Sequence, residues 1–314
     1  MDRPVLFMTG LGDNLSRAEN LATLYEAYPG EKNFVSMTPA TVNEAMSGRY
    51  ALTVIDIFPT FRTGNTIMIW HAIQGGKLIG LGQPGTYMKP EMTPYIDWIV
   101  AAGPGGVEMF HQCTGVAKDR ILPLGMPRTD RYIGKKKGDG HTELAGKRAY
   151  LYVPTFRGKN DPPLPAIEWE WLDRQLTDDE LLVVKPHPYG KKFNLDCCRH
   201  IREASRMEPS VHYMMDCDVV ITDYSSIMFD GYLLNKPCVL FEKERGYTQT
   251  RGMYMHYPEK YSPRYARNEP ELLELIRSAS GLTETEKKCR EYVAGNCDGH
   301  SIERIIQLIG EVKA

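Results

Sequence analysis

The feature that most narrows what this chain can become is a series of short apolar runs, many ending in Gly, Pro, Thr or His. They read VLFMT (5–9), ALTVIDI (51–57), TIMIW (66–70), WIVAA (98–102), ILPLG (121–125), AYLYV (149–153), ELLVVK (180–185), DVVIT (218–222) and PCVLFE (237–242). Continuous Val, Ile and Leu runs fit strands buried on both faces, the habit of parallel sheets. Segments of helical period lie between several of them, such as NLSRAENLATLYEAY (14–28) and EPELLELIRSA (269–279), and SIERIIQLIGEVK (301–313) closes the chain. Strand and helix in alternation give an α/β fold. The stretch GKKKGDGHTELAGKR (134–148) is basic, Gly-rich and without apolar period, so it reads as a linker with a set of strands on either side. Two Rossmann-like domains facing a cleft, 1–140 and 141–314, are the expected architecture. The last helix, 301–313, is a candidate to pack back on the N-terminal domain.

Bulk properties exclude several function classes. A net charge of -2 gives no bulk attraction for nucleic acid or an anionic membrane. No apolar run is long enough to span a bilayer, and the start, MDRPVLFMTG, has too short an apolar core for a signal peptide. Seven Cys without a CxxC pair argue for a reducing compartment and against a structural zinc site. The expected location is the cytoplasm. The helix-period segment at 14–28 is amphipathic with mixed charges and reads as a surface helix.

Open parallel sheets bind ligands at the carboxyl ends of their strands, so the residues that follow each run are the candidates. His71 follows TIMIW and precedes Gln74-Gly75-Gly76-Lys77. A free imidazole, with a pKa near about 6.5, can take a proton at neutral pH. The two glycines let backbone approach a ligand, and Lys77 could face a phosphate. The bland alternative for His71 is a strand-end histidine. Arg128 follows ILPLG. Thr155 and Arg157 follow AYLYV in PTFR, where the planar guanidinium suits an anion or, alternatively, a surface pair with Asp161. Lys185 and His187 follow the next run in KPHP, whose prolines stiffen the loop. Ser225 and Ser226 follow DVVIT in TDYSS, at the start of a helix-period segment. They suit a helix N-cap, a phosphate site at the positive end of a helix dipole, or both, with Asp223 or Ser225 capping and Ser226 binding. Two motifs are set aside. The DxD of Asp216-Cys217-Asp218 precedes its strand and so lies at the wrong edge, and Gly10-Leu11-Gly12 is half a dinucleotide fingerprint.

The combination resembles the CDP-glycerol glycerophosphotransferases of wall teichoic acid and capsule synthesis. The strongest match is ITDYSSIMFDGYLLNKPCVLFE (221–242), supported by IWHAIQGGKLIG (69–80), LGMPRTD (124–130), YVPTFR (152–157), VVKPHP (183–188), RGMYMHY (251–257) and DGHSIERI (298–305). The resemblance implies a GT-B architecture, with an acceptor-binding N-terminal domain and a donor-binding C-terminal one. It implies metal-independent transfer of a polyol phosphate, most often glycerol phosphate, from a CDP-linked donor, with CMP as leaving group and no cofactor. Carried over by position, His71 is the base, His187 contacts the donor phosphates, and Ser225 and Ser226 hold the pyrophosphate. Thr155, Arg157, Arg128, Arg251 and Lys185 are further phosphate candidates, and Gly75, Gly76 and Lys77 form a loop facing the acceptor. Many members read WHGTPLK where this chain reads WHAIQGGK, so the acceptor loop departs from the family pattern. The implied partners are a CDP-polyol and a lipid-linked or saccharide acceptor, with membrane contact at most peripheral, at the inner face. The alternatives are a GT-B glycosyltransferase using a UDP- or GDP-sugar and a non-catalytic nucleotide-binding protein.

Overall fold

The computed structural model describes residues 3–11, 19–75, 90–138, 144, 146–157, 164–187, 190, 192–243 and 259–313. The chain divides into two compact units, residues 1–133 with 291–314, and residues 134–290.

The first unit holds β1 (Val5–Thr9), α1 (Glu19–Ala27), β2 (Lys32–Ser36), α2 (Pro39–Met46), β3 (Leu52–Ile55), β4 (Asn65–Ile69), β5 (Trp98–Ala101), α3 (Pro104–Thr114) and β6 (Ile121–Pro123). The strands form one sheet in the order β2-β1-β3-β4-β5-β6, and every pairing is parallel. β1 and β3 are buried along their whole length, as their apolar runs require.

The second unit holds β7 (Arg148–Tyr152), α4 (Trp169–Gln175), β8 (Glu180–Val184), β9 (Ile201–Glu203), α5 (Ser210–Asp216), β10 (Val219–Thr222), α6 (Ile227–Leu233), β11 (Cys238–Phe241), β12 (Tyr265–Ala266) and α7 (Glu269–Ser278). Its order, β12-β11-β10-β7-β8-β9, is again all parallel. Alternate residues of the central strands, Tyr150, Tyr152, Leu182, Val184, Val219, Ile221, Val239 and Phe241, join Leu172 of α4 and Leu272 and Ile276 of α7 in one apolar core. α8 (Glu284–Ala294) runs from this unit back into the first, where α9 (Ser301–Lys313) ends the chain.

Short motif residues secure that return. Asp130, in the turn after β6, accepts a hydrogen bond from the Ile302 backbone N–H at 2.8 Å. Asp298 accepts from the His300 N–H at 3.1 Å and pairs with Arg304. Gly125 stands at φ +88°, and a β-carbon there would lie 2.3 Å from both the Asn296 carbonyl oxygen and Ser301 Oγ. LGMPRTD and DGHSIERI therefore hold the final helix as well as lining a strand end.

Three strands went unread in the sequence: β2, β9 and β12. All three are sheet edges, β2 in the first unit and β9 and β12 in the second. An edge strand needs no double-sided apolar run, and β2 is half-buried throughout.

Gly125→Ala should destabilise the first unit by roughly 2–4 kcal/mol, from left-handed strain together with overpacking. Urea unfolding followed by circular dichroism checks this, and a midpoint equal to that of the wild type would contradict the packing.

Candidate active site

In an open α/β sheet the crevice forms where the strand order reverses. In the second unit the reversal lies between β7 and β10. The register sets Tyr152 opposite both Val184 and Ile221, so the segments after β7, β8 and β10 leave the sheet at one level.

Asp223, the first residue past β10, spans the reversal. Its Oδ1 accepts hydrogen bonds from the Thr155 N–H at 2.8 Å and the Tyr224 N–H at 2.7 Å. Its Oδ2 accepts from Arg157 Nη2 at 2.6 Å. The two side chains are 4% and 10% exposed, so this is a buried ion pair rather than a surface one. Arg157 Nη1 donates to the Thr155 carbonyl at 3.1 Å, and the guanidinium carbon lies 5.5 Å from the Tyr224 ring centroid. The sequence also allowed a surface pair between Arg157 and Asp161; Asp161 lies outside the described residues. Thr155 is buried, and its hydroxyl oxygen has no hydrogen-bond partner among the described residues. Beside the clamp is a shallow depression whose walls include Tyr152, Ile167, Glu242 and Lys243.

His187 is exposed at the end of β8, its ring 4.8 Å from that of Phe156. The Gly190 N–H donates to the His187 carbonyl at 2.7 Å, and Arg206 Nη1 donates to the Gly190 carbonyl at 3.0 Å. Lys185 is placed differently from the expectation. It is 3% exposed, and its ammonium donates to the carbonyls of Arg206 at 3.1 Å and Pro186 at 3.4 Å. Burial pulls its pKa below the ordinary lysine value. The ammonium is committed to backbone, and the lysine braces the loop instead of presenting its charge at the edge.

Ser225 and Ser226 are half-buried. Ser225 Oγ accepts from the Ile227 N–H at 3.4 Å, a long bond, whereas Ser226 occupies the N-cap position without a side-chain cap bond. Asp223 accepts both from the segment after β7 and from the Tyr224 N–H that leads into α6.

In the first unit the reversal lies between β1 and β3, and an aspartate spans it too. Asp56 accepts from Thr9 Oγ1 at 2.7 Å and the Gly10 N–H at 2.9 Å. Burial raises its carboxyl pKa, and the bonds from Thr9 and Gly10 partly offset that. His71 follows β4 and is exposed, with its ring 4.4 Å from that of Trp70. Gly75 is buried. Arg128 is 8% exposed, with Nη1 3.9 Å from Glu19 Oε2. Gly76, Lys77 and Arg251 lie outside the described residues. The DxD aspartates stay at the opposite edge, as expected: Asp218 accepts from the Ala149 N–H at 2.8 Å and pairs with Lys137, while Asp216 accepts from the Gly138 N–H. Among the described residues no group of three or more His, Cys, Asp or Glu side chains could hold a metal ion.

Sequence reading missed the clamp role of Asp223, which it offered beside Ser225 as a possible cap, and missed Glu242 and Lys243 altogether. Asp223 was detectable, because its place after a strand is shared with Asp56. The others had no local signal.

Comparison with known proteins gives the family and the fold. The family model of CDP-glycerol:poly(glycerophosphate) glycerophosphotransferase matches residues 46–311. A teichoic acid poly(ribitol-phosphate) polymerase of Bacillus spizizenii is 24% identical over 278 residues, covering 79% of this chain and 43% of the relative. A teichoic acid glycerol-phosphate primase of Bacillus subtilis is 27% identical over 264 residues, covering 77% and 68%. This chain thus spans less than half of that polymerase and about two thirds of that primase. The structure of the wall teichoic acid polymerase TagF superposes with a TM-score of 0.78 at 18% identity, covering 100% of this chain and 90% of that one. At that identity the likeness establishes the fold, two Rossmann-like α/β units of the GT-B class.

Asp223→Ala should cost the second unit roughly 3–5 kcal/mol, because it strands a buried guanidinium, and Arg157→Met/Asp223→Leu should recover most of the loss. Urea unfolding measures both. A single-variant cost below about 1 kcal/mol would be that of an exposed pair and would contradict the burial.

Proposed function

The chain belongs to the CDP-glycerol:poly(glycerophosphate) glycerophosphotransferase family, and from that premise we propose that it transfers a polyol phosphate from a CDP-linked donor to an acceptor hydroxyl. Glycerol phosphate is the polyol phosphate proposed, and the product is a teichoic-acid-like or capsule polymer. The observation that carries this reading is the common edge of β7, β8 and β10. Thr155, His187, Ser225 and Ser226 leave one sheet at one level, beside the strand-order reversal where such folds bind nucleotides.

In the proposed reaction an acceptor hydroxyl oxygen attacks the β-phosphorus of the CDP-polyol. The bond from that phosphorus to the oxygen bridging the two phosphorus atoms breaks, and CMP leaves with the bonding pair. His71 takes the proton of the attacking hydroxyl. His187, the hydroxyls of Ser225, Ser226 and Thr155, and backbone N–H groups at the start of α6 hold the diphosphate and stabilise the charge that moves onto CMP. Positioning and charge stabilisation do most of the work in phosphoryl transfer. Arg157 supplies positive potential from behind Asp223, so it is a weaker phosphate ligand than a free arginine. Arg128, Arg251 and the loop of Gly75, Gly76 and Lys77 are assigned to the phosphates and the acceptor side. The acceptor is a lipid-linked or saccharide polyol phosphate chain, reached at the cytoplasmic face of the membrane by peripheral contact.

Purified protein should release CMP from CDP-glycerol when given a poly(glycerophosphate) oligomer, at a rate unchanged by EDTA. His71→Ala should cut turnover by about 10²–10⁴-fold while leaving CDP-glycerol affinity close to that of the wild type. Unchanged turnover in that variant would remove His71 from the mechanism. Thermal protection by a UDP- or GDP-sugar but not by CDP-glycerol would overturn the donor assignment.

A further inference from the structure

We infer that Asn20 is a positioning residue for the acceptor side of the reaction, fixing the strand end that carries His71 against the turn that carries Arg128. This rests on the role proposed for His71. Asn20 is 1% exposed in the first turn of α1. Its Nδ2 donates to the Trp70 carbonyl at 2.9 Å, and its Oδ1 accepts from the Arg128 N–H at 3.1 Å. The partners fix the orientation of the amide, because a carbonyl can only accept and a backbone N–H can only donate.

The two tethered points have no shared sheet ladder. β4 and β6 are separated by β5, and the β4–β5 register ends at Ile69 and Val100, one residue short of Trp70. Past that point the side chain of Asn20 joins the two segments. Trp70 is wedged between Phe58, 4.8 Å away by ring centroids, and the His71 ring at 4.4 Å, so the position of Trp70 sets that of His71. The neighbouring Glu19 faces the Arg128 guanidinium at 3.9 Å, so the start of α1 engages Arg128 through both backbone and side chain. A buried amide that spends both ends on the flanks of two site residues can move the base without touching substrate.

Asp at this position keeps the acceptor for Arg128 but loses the donor to Trp70, and it sets a carboxylate against a carbonyl. Asn20→Asp should lower kcat for CMP release by about 10- to 100-fold, the cost of misplacing a catalytic group by around an ångström. The KM for CDP-glycerol should stay within about twofold, because the proposed donor ligands other than Arg128 lie in the other unit and Asp keeps the acceptor for the Arg128 N–H. In a His71→Ala background the same change should cost nothing further, because its effect passes through His71. If Asn20→Asp does not fold, Asn20→Ser, which is too short to hold both partners, is expected to give the same split between kcat and KM. Wild-type kcat in the folded variant, or an equal loss in both backgrounds, would overturn the inference. Full activity of His71→Ala alone would instead show that the base assignment fails, a separate result read from the same set of variants.

Discussion

The carboxylate of Asp223 is the contact on which the proposed donor edge depends. It joins β10 to the segment after β7 across the point where the strand order reverses, and it neutralises Arg157 inside the protein. Without it, the N–H groups of Thr155 and Tyr224 would lose their acceptor and the guanidinium its counter-charge. A buried group left unsatisfied in this way is expensive. The clamp therefore fixes where Thr155 and the two serines stand relative to each other. The first unit uses the same device with Asp56, Thr9 and Gly10. In both units an aspartate one residue past a strand holds the reversal closed, which leaves the edge residues around it available for other chemistry.

The division of labour among the charged residues follows from burial. Lys185 and Arg157 both looked suited to phosphate in the sequence, yet both spend hydrogen bonds on partners within the second unit. His71 and His187 are exposed, each with its ring beside an aromatic neighbour. The proposed transfer then relies on exposed histidines and hydroxyls for ligand contact, with the buried cations setting the local potential. This agrees with a reaction whose barrier is lowered by fixed dipoles and positioning.

Much of the fold was legible because parallel strands buried on both faces must be written as unbroken apolar runs. The central strands of both sheets were visible for that reason, and the edge strands β2, β9 and β12 were not. The candidate site was legible as a set of strand ends: His71, Thr155, Arg157, His187 and the serines could be named because each follows an apolar run. Which of the candidates are tied to other residues of the chain was not legible. That choice turned on side-chain partners far away in sequence, such as Lys185 with Arg206 and Arg157 with Asp223. Asn20 lay beyond reach altogether, since an asparagine near a helix start reads as an ordinary helix residue until both of its partners are seen.

The most direct measurement is a crystal structure of the protein soaked with CDP-glycerol. The expected result places the diphosphate within hydrogen-bond distance of the hydroxyls of Ser225, Ser226 or Thr155 and of the His187 ring, at the carboxyl edge of β7, β8 and β10. A nucleotide bound at the opposite edge, or one whose diphosphate leaves these residues untouched, would contradict the donor site and the mechanism built on it.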